Sequence, residues 1–218
     1  MKRLRTLAAT AALLAFAAGP ALAAPVFDED PFSDAGDSLA TAADTGASLG
    51  KLTINGAISL EPFAGPDFVD LFKFNVAKTG TFRARTGSMF DPGLIADPVL
   101  YLFNASGVGV AMDDESGGEG QASLTAWLSA GDYYLAIAFA GVEPLDAMGG
   151  PIFDAFGSLA VLSMDPLDSW LEAPFAQNPS TLGAYSINMS VPLPGTLALA
   201  LAGCLAAGSI RTRRAATA

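Results

Sequence analysis

The chain has 218 residues, 51% of them hydrophobic, a formal net charge of −11, one cysteine and no histidine. The missing histidine excludes Ser-His-Asp and Cys-His catalysis, histidine zinc sites and the His-carboxylate iron triad. The single Cys204 excludes an intrachain disulfide, and among 22 acidic residues a chance carboxylate pair has no weight as a catalytic signal.

Residues 1–23 open with Lys2, Arg3 and Arg5, continue through the apolar run LAATAALLAFAAG and end in the triplet Ala21, Leu22, Ala23. A basic start, an apolar stretch of this length and a small-x-small site predict a secretory signal peptide. Its first partners are then the Sec export machinery and signal peptidase. Residues 24–190 follow as one domain, long enough for a core. They contain all 22 acidic residues against five basic ones, Lys51, Lys73, Lys78, Arg83 and Arg85, a difference of −17. Such a domain repels anionic polymers, which excludes nucleic acid as a partner and favours divalent cations. In an exported protein, hard carboxylate oxygens suit calcium.

Along this domain, short strands alternate with turns. In FVDLFKFNV, Phe68, Phe72, Phe74 and Val76 share a face with Asp70, whereas Lys73 and Asn75 point the other way. After the turn AKTGT, the segment TFRARTG sets Phe82 and Ala84 against Arg83 and Arg85, so residues 68–86 read as a hairpin. Val99 to Phe103 is apolar on both faces, as in a central strand, and an NASG turn leads to its partner. ASLTAWLSAGDYYLAIAF repeats the scheme around Gly131, and GAYSINMSV alternates Tyr185, Ile187, Met189 and Val191 with small polar residues. No segment between 51 and 140 has helical spacing. Turn signals every ten or so residues predict an all-β, antiparallel β-sandwich.

Residues 141–182 interrupt this rhythm with five prolines, repeated acids and large apolar residues. They are expected to form a long excursion before the last strand, with Phe153, Phe156 and Trp170 packed over one end of the sandwich or as plain core.

DFVDLFKFNV, DPVLYLFNASGVGVAMDD and LSAGDYYLAIAFAG occur in the order and with the hallmark residues of the bacterial pre-peptidase C-terminal domain family, which the chain resembles over residues 30–140 and 183–190. SDAGDSLATA and GASLGKLTINGAIS look like that family's acidic linker and first strand. The resemblance implies a jelly-roll-like sandwich that binds or assists, often with calcium, and does not catalyse. It also implies ion ligands where an acidic linker meets the first strands, at Asp30, Asp34, Asp37, Asp67 and Asp70. Just before the linker aspartate, where the family has Asn or Glu, this chain has Phe32 and Ser33. The same carboxylates also read as a solvated face and a turn cap. Asp113, Asp114, Glu115 and Glu119 form a second cluster, read first as an exposed acidic turn and second as an ion site.

The last segment, residues 191–214, joins the motif Val191, Pro192, Leu193, Pro194, Gly195, Thr196 to a short apolar helix and the cluster Arg211, Arg213, Arg214; residues 215–218 are a tail. Its 15 apolar or small residues, 196–210, fall short of the ~20 that span a bilayer, and the arginines mark a cytoplasmic end. This layout resembles PEP-CTERM sorting signals of exopolysaccharide-producing Gram-negative bacteria, in a VPLP variant with Leu193 where an acid is usual. The resemblance implies an exosortase-type sorting enzyme as partner and only transient membrane retention. The expected protein is therefore a non-catalytic module of the cell surface or extracellular matrix, placed among exopolysaccharide. Two alternatives stay open: a carbohydrate-active enzyme using an acid pair that includes Asp70 or Asp113, or a module specific for a polysaccharide or collagen-like target, which exposed aromatics on one sheet face would favour.

Overall fold

Period-two alternation keeps most of this chain extended, because large apolar side chains can reach a common core only from every second position of a strand. The computed structural model describes residues 25–29, 34–46, 50–58, 60–61, 65–87, 95, 97–154, 159–172 and 183–192. The predicted signal peptide, Asp30, Phe156, residues 193–196 of the sorting motif, the apolar helix and the arginine cluster lie outside them. The described residues contain no helix and these strands: β1 (Val26–Asp28), β2 (Ala43–Asp44), β3 (Lys51–Ile58), β4 (Leu60–Glu61), β5 (Gly65–Pro66), β6 (Val69–Val76), β7 (Gly80–Thr86), β8 (Pro98–Asn104), β9 (Gly109–Asp113), β10 (Ser123–Leu128), β11 (Gly131–Phe139), β12 (Val142–Asp146), β13 (Leu167–Glu172) and β14 (Gly183–Ser190).

Ten of these strands form a β-sandwich of two five-stranded sheets, ordered β1-β3-β14-β7-β10 and β2-β6-β11-β8-β9. Pairing is antiparallel except at one edge of each sheet, where β1 runs parallel to β3 and β2 parallel to β6. Those two parallel edges have one cause. The chain leaves the first sheet after β1, crosses to the second as a linker and joins it at β2.

The expected hairpin over residues 68–86 is not one. β6 pairs with β2 and β11 in the second sheet, whereas β7 pairs with β10 and β14 in the first. The turn between them carries the chain across the sandwich, so Phe74 and Phe82 meet face to face, centroids 5.0 Å apart and planes 16° from parallel. β10 and β11 step between sheets in the same way, and only β8 and β9 of these pairs form a true hairpin. Asn104 shapes its turn by accepting the Ser106 and Val108 N–H groups at 2.9 and 3.1 Å. The core is thick with aromatics: Phe72, Phe74 and Phe82 are essentially inaccessible. Truncating any one of them costs about 3–5 kcal/mol, a large share of a domain's ~5–15 kcal/mol. Val191 extends the β14 alternation into this core and donates its N–H to Gly50 at 2.8 Å.

The excursion after β11 contains an antiparallel pair, β12 with β13, and covers the outer face of the second sheet rather than an end of the sandwich. β8 is apolar on both sides for this reason. Leu100 and Leu102 face the first sheet, and on the other side the Tyr101 and Phe103 rings pack against Phe153 and Trp170, with centroids 5.6–6.3 Å apart. The Tyr101 hydroxyl donates to the Val142 carbonyl at 2.8 Å. Gly109 makes room, since a Cβ there would meet Ile152 and Phe153 at 2.7–2.8 Å. At the end of β12, Asp146 accepts N–H groups of Met148 and Gly150 at 3.0 and 2.9 Å and the Ser163 hydroxyl at 2.7 Å.

Candidate metal centre

The linker crosses the open edge of the sandwich directly above β6, and there carboxylates from three segments converge. Phe27 of β1 points into the core against Phe72, centroids 5.9 Å apart, and period-two alternation sends Glu29 the same way. Glu29 Oε1 accepts the Ala35 N–H at 2.8 Å, and Oε2 accepts the Ala57 N–H at 3.1 Å, so this one side chain ties linker to first sheet. Gly36, at φ 73°, turns the linker so that its carbonyl accepts the Leu71 N–H of β6 at 2.9 Å. Asp34, just before that turn, is held beside Asp70.

Asp70 sits on the inward face of β6 with no solvent exposure. Its Oδ2 accepts the Tyr185 hydroxyl of β14 at 2.6 Å, while Oδ1 has no hydrogen-bond partner. Burial first, and then the charges of Asp67 and Glu29, push the Asp70 carboxyl up to about 10, against the lowering effect of the Tyr185 hydrogen bond; the neighbouring Asp34 carboxyl, which favours a proton held between the two, adds to the rise. The Tyr185 hydroxyl is itself pushed up, by burial and by Asp70 and Glu29. Gly56, paired with Tyr185 across β3 and β14, is required here: a Cβ would collide with the Tyr185 hydroxyl and the Glu29 carboxylate.

One oxygen each from Glu29, Asp34 and Asp70 lies within 4.8 Å of the others, the only such acidic group of three among the described residues. Calcium binds oxygens at ~2.3–2.6 Å, so two ligands of one ion are at most ~5 Å apart and this spacing fits. The unpartnered Asp70 Oδ1 fits too, because a buried carboxylate oxygen costs free energy unless something satisfies it. The domain's five basic side chains lie elsewhere: Lys73 pairs with Asp132 at 3.3 Å, Lys78 is exposed in the turn after β6, and Lys51, Arg83 and Arg85 are exposed on the first sheet.

Of the acids expected from the sequence, Asp34 and Asp70 come together, Asp67 lies at the margin with Oδ1 accepting the Val69 N–H at 3.3 Å, and Asp30 is outside the described residues. Asp37 is not in the group. It lies beyond the Gly36 turn, exposed, and contributes its backbone carbonyl to the Trp170 indole N–H at 2.7 Å. Glu29 was missed, although the alternation from Phe27 was the signal that marks it as inward.

The second cluster is dispersed. Asp113 is buried and staples the β9–β10 turn, its Oδ2 accepting Ser116 and Ser123 N–H groups at 3.1 and 2.6 Å. Glu115 and Glu119 are exposed. Asp114 has a buried, unpartnered Oδ1, and burial with the charges of Asp97, Glu115 and Asp113 pushes it up to about 6.

The sequence matches no protein-family model and no curated protein. Among solved structures it is similar to the pre-peptidase C-terminal domain of a collagenase from Bacillus anthracis, at 15% identity and a TM-score of 0.36, over 63% of this chain and 87% of that one. It is also similar to a periplasmic inhibitor of g-type lysozyme from Aeromonas hydrophila, at 9% identity and a TM-score of 0.36, over 78% of this chain and 100% of that one. No residue of this chain takes a role from either.

Proposed function

We propose that the protein is an exported, non-catalytic β-sandwich that serves as a binding or structural component of the cell surface or extracellular matrix, with calcium joining its N-terminal linker to its strands. The observation that carries the calcium assignment is Asp70 Oδ1, a buried carboxylate oxygen to which no N–H or O–H group donates, in a residue whose carboxylate is grouped with those of Glu29 and Asp34. Those three residues hold the ion, and Asp67 adds negative charge at its margin. Calcium supplies the positive charge that offsets burial of Asp70.

Export rests on residues 1–23, and delivery on the motif at 191–196 with the apolar segment and arginines behind it, read by an exosortase-type enzyme. The lack of catalysis is supported by where the acids lie. Asp70 is inaccessible to a sugar ring, and Asp113 is committed to two backbone N–H groups. A glycosidase needs two carboxyls flanking a bound substrate.

Two measurements test this reading. Thermal melts of the purified protein in excess chelator and in excess calcium should differ by about 5–10 °C, since a ligand at 100 times its Kd adds ~2.7 kcal/mol. Equal midpoints would remove the ion. Intact mass of the protein recovered from cells should correspond to a chain that starts near Ala24 and ends beside the 191–196 motif. A chain still carrying residues 1–23 and 197–218 would overturn the export and sorting assignment.

A further inference from the structure

The outer face of the first sheet differs from the rest of the molecule in charge and texture. Strands β3, β7, β10 and β14 contain no Asp or Glu, yet they carry Lys51, Arg83 and Arg85, three of the five basic residues between 24 and 190. The register sets these in rows: Thr125, Arg83, Ser190 and Lys51 lie side by side across all four strands, with Arg85 beside Asn188 in the next row. The three cations and Asn188 are exposed, Arg85 using one Nη2 donor on the Gly117 carbonyl at 2.6 Å and keeping its other guanidinium N–H groups, and Asp28 on the edge strand β1 is held by Asn55 Nδ2 at 2.8 Å. Trp127 stands on the same face, paired across from Thr81 and 72% exposed, the only exposed aromatic ring among the described residues.

An isolated exposed aromatic needs no explanation. A Trp two residues along β10 from a row of cations and hydroxyls, on the same face and in a domain that is strongly acidic elsewhere, does. An indole offers a flat apolar surface to the C–H face of a sugar ring, and Arg binds carboxylates through a planar fork of N–H groups. We propose that this face binds an anionic, uronate-bearing polysaccharide, with Trp127 stacking on a sugar and Arg83, Arg85 and Lys51 pairing with its carboxylates.

The repulsion of anionic polymers expected of so acidic a domain is weakest here, because these four strands contain no acid and a glycan lying on them in solvent is screened, with a Debye length of ~8 Å at physiological salt, from exposed acids farther away. Duplex nucleic acid, with one charge per ~1.7 Å, asks for a denser array than three cations over a face about 15 Å wide. The sparser charge of a uronate chain matches it. This inference rests on the reading of the protein as a matrix module and names the partner of that module.

The test is calorimetric titration of the full-length protein, in excess chelator so that calcium cannot bridge, with a hyaluronan octasaccharide and with oligogalacturonate. At least one is expected to bind, several-fold more weakly at high salt, and cellohexaose not to bind. Trp127→Ala and the double variant Arg83→Gln/Arg85→Gln should each weaken binding at least tenfold without moving the melting midpoint, because these side chains are exposed. Met148→Ala, 88% exposed on the excursion that covers the other sheet, should leave binding unchanged. Binding of neither acidic glycan, equal binding of cellohexaose, an inert Trp127→Ala variant, or equally tight binding of single-stranded DNA or phosphatidylserine vesicles would each overturn the inference. None of these results alters the calcium shift or the intact mass, so failure here is distinguishable from failure of the matrix-module reading.

Discussion

Asp70 and Tyr185 are 115 residues apart in sequence and belong to opposite sheets, yet they meet in a 2.6 Å hydrogen bond. With Glu29 and Asp34 beside them, they form a polar island in an aromatic core. Two substitutions separate its parts. Asp70→Asn keeps the shape and removes a carboxyl that must take up a proton to be buried without calcium: in chelator it should raise the melting midpoint near neutral pH, and in calcium it should abolish the calcium-dependent rise. A calcium shift retained at wild-type size would show that Asp70 is not a ligand. Tyr185→Phe deletes the hydroxyl and leaves Asp70 Oδ2 without that donor. It should cost about 1–3 kcal/mol in denaturant unfolding, the range for a buried polar group stripped of its partner.

At the scale of elements, the close approach of β3 to the site depends on a missing side chain. Gly56→Ala would drive a methyl group into the Tyr185 hydroxyl and Glu29 carboxylate. The expected cost is about 1–3 kcal/mol, accompanied by a smaller calcium shift, both read by melting with and without the ion. The turn from β9 to β10 has a different signature. Asp114 is raised to about 6, so the folded chain holds this proton more tightly than the unfolded chain does. Its stabilisation is therefore present below about pH 4 and is lost as pH rises through about 6. In chelator, Asp114→Asn should fall less in melting midpoint between pH 4 and pH 7 than the unsubstituted protein; equal falls would remove Asp114 as a source.

For the whole molecule, the sandwich separates two kinds of surface that the net charge of −11 averages together. The second sheet and the loops hold almost all of the acids, and its outer face is covered by the β12–β13 excursion. The first sheet leaves its outer face open, with the cations of β3 and β7 and the ring of Trp127. With the proposed ion at the linker edge and the proposed glycan on the uncovered sheet, the two sites share no residue and are expected to act independently. Chelation should lower stability while leaving glycan affinity intact in the folded protein, and Trp127→Ala should do the reverse.

Much of the strand pattern was legible in the sequence, because alternation records which side chains are buried: Phe72, Phe74, Phe82, Tyr185 and Ile187 all point inward as their spacing predicts. The double-sided apolarity of Val99 to Phe103 likewise announced a covered strand, and the acids at 34 and 70 were recognisable by type. Alternation reports a face and not a partner. Whether Phe74 and Phe82 lie in one sheet or oppose each other across two is decided by long-range pairing, which sent β6 to β11 and β7 to β14. The same pairing brought Glu29 and Gly56 against Tyr185, placed the excursion over a sheet face rather than an end, and left Trp127 in solvent. Composition and periodicity thus determined an acidic, all-β chain, whereas only the tertiary structure decided which carboxylates share one volume and which aromatic ring among the described residues remains uncovered, since both depend on contacts between residues far apart in sequence.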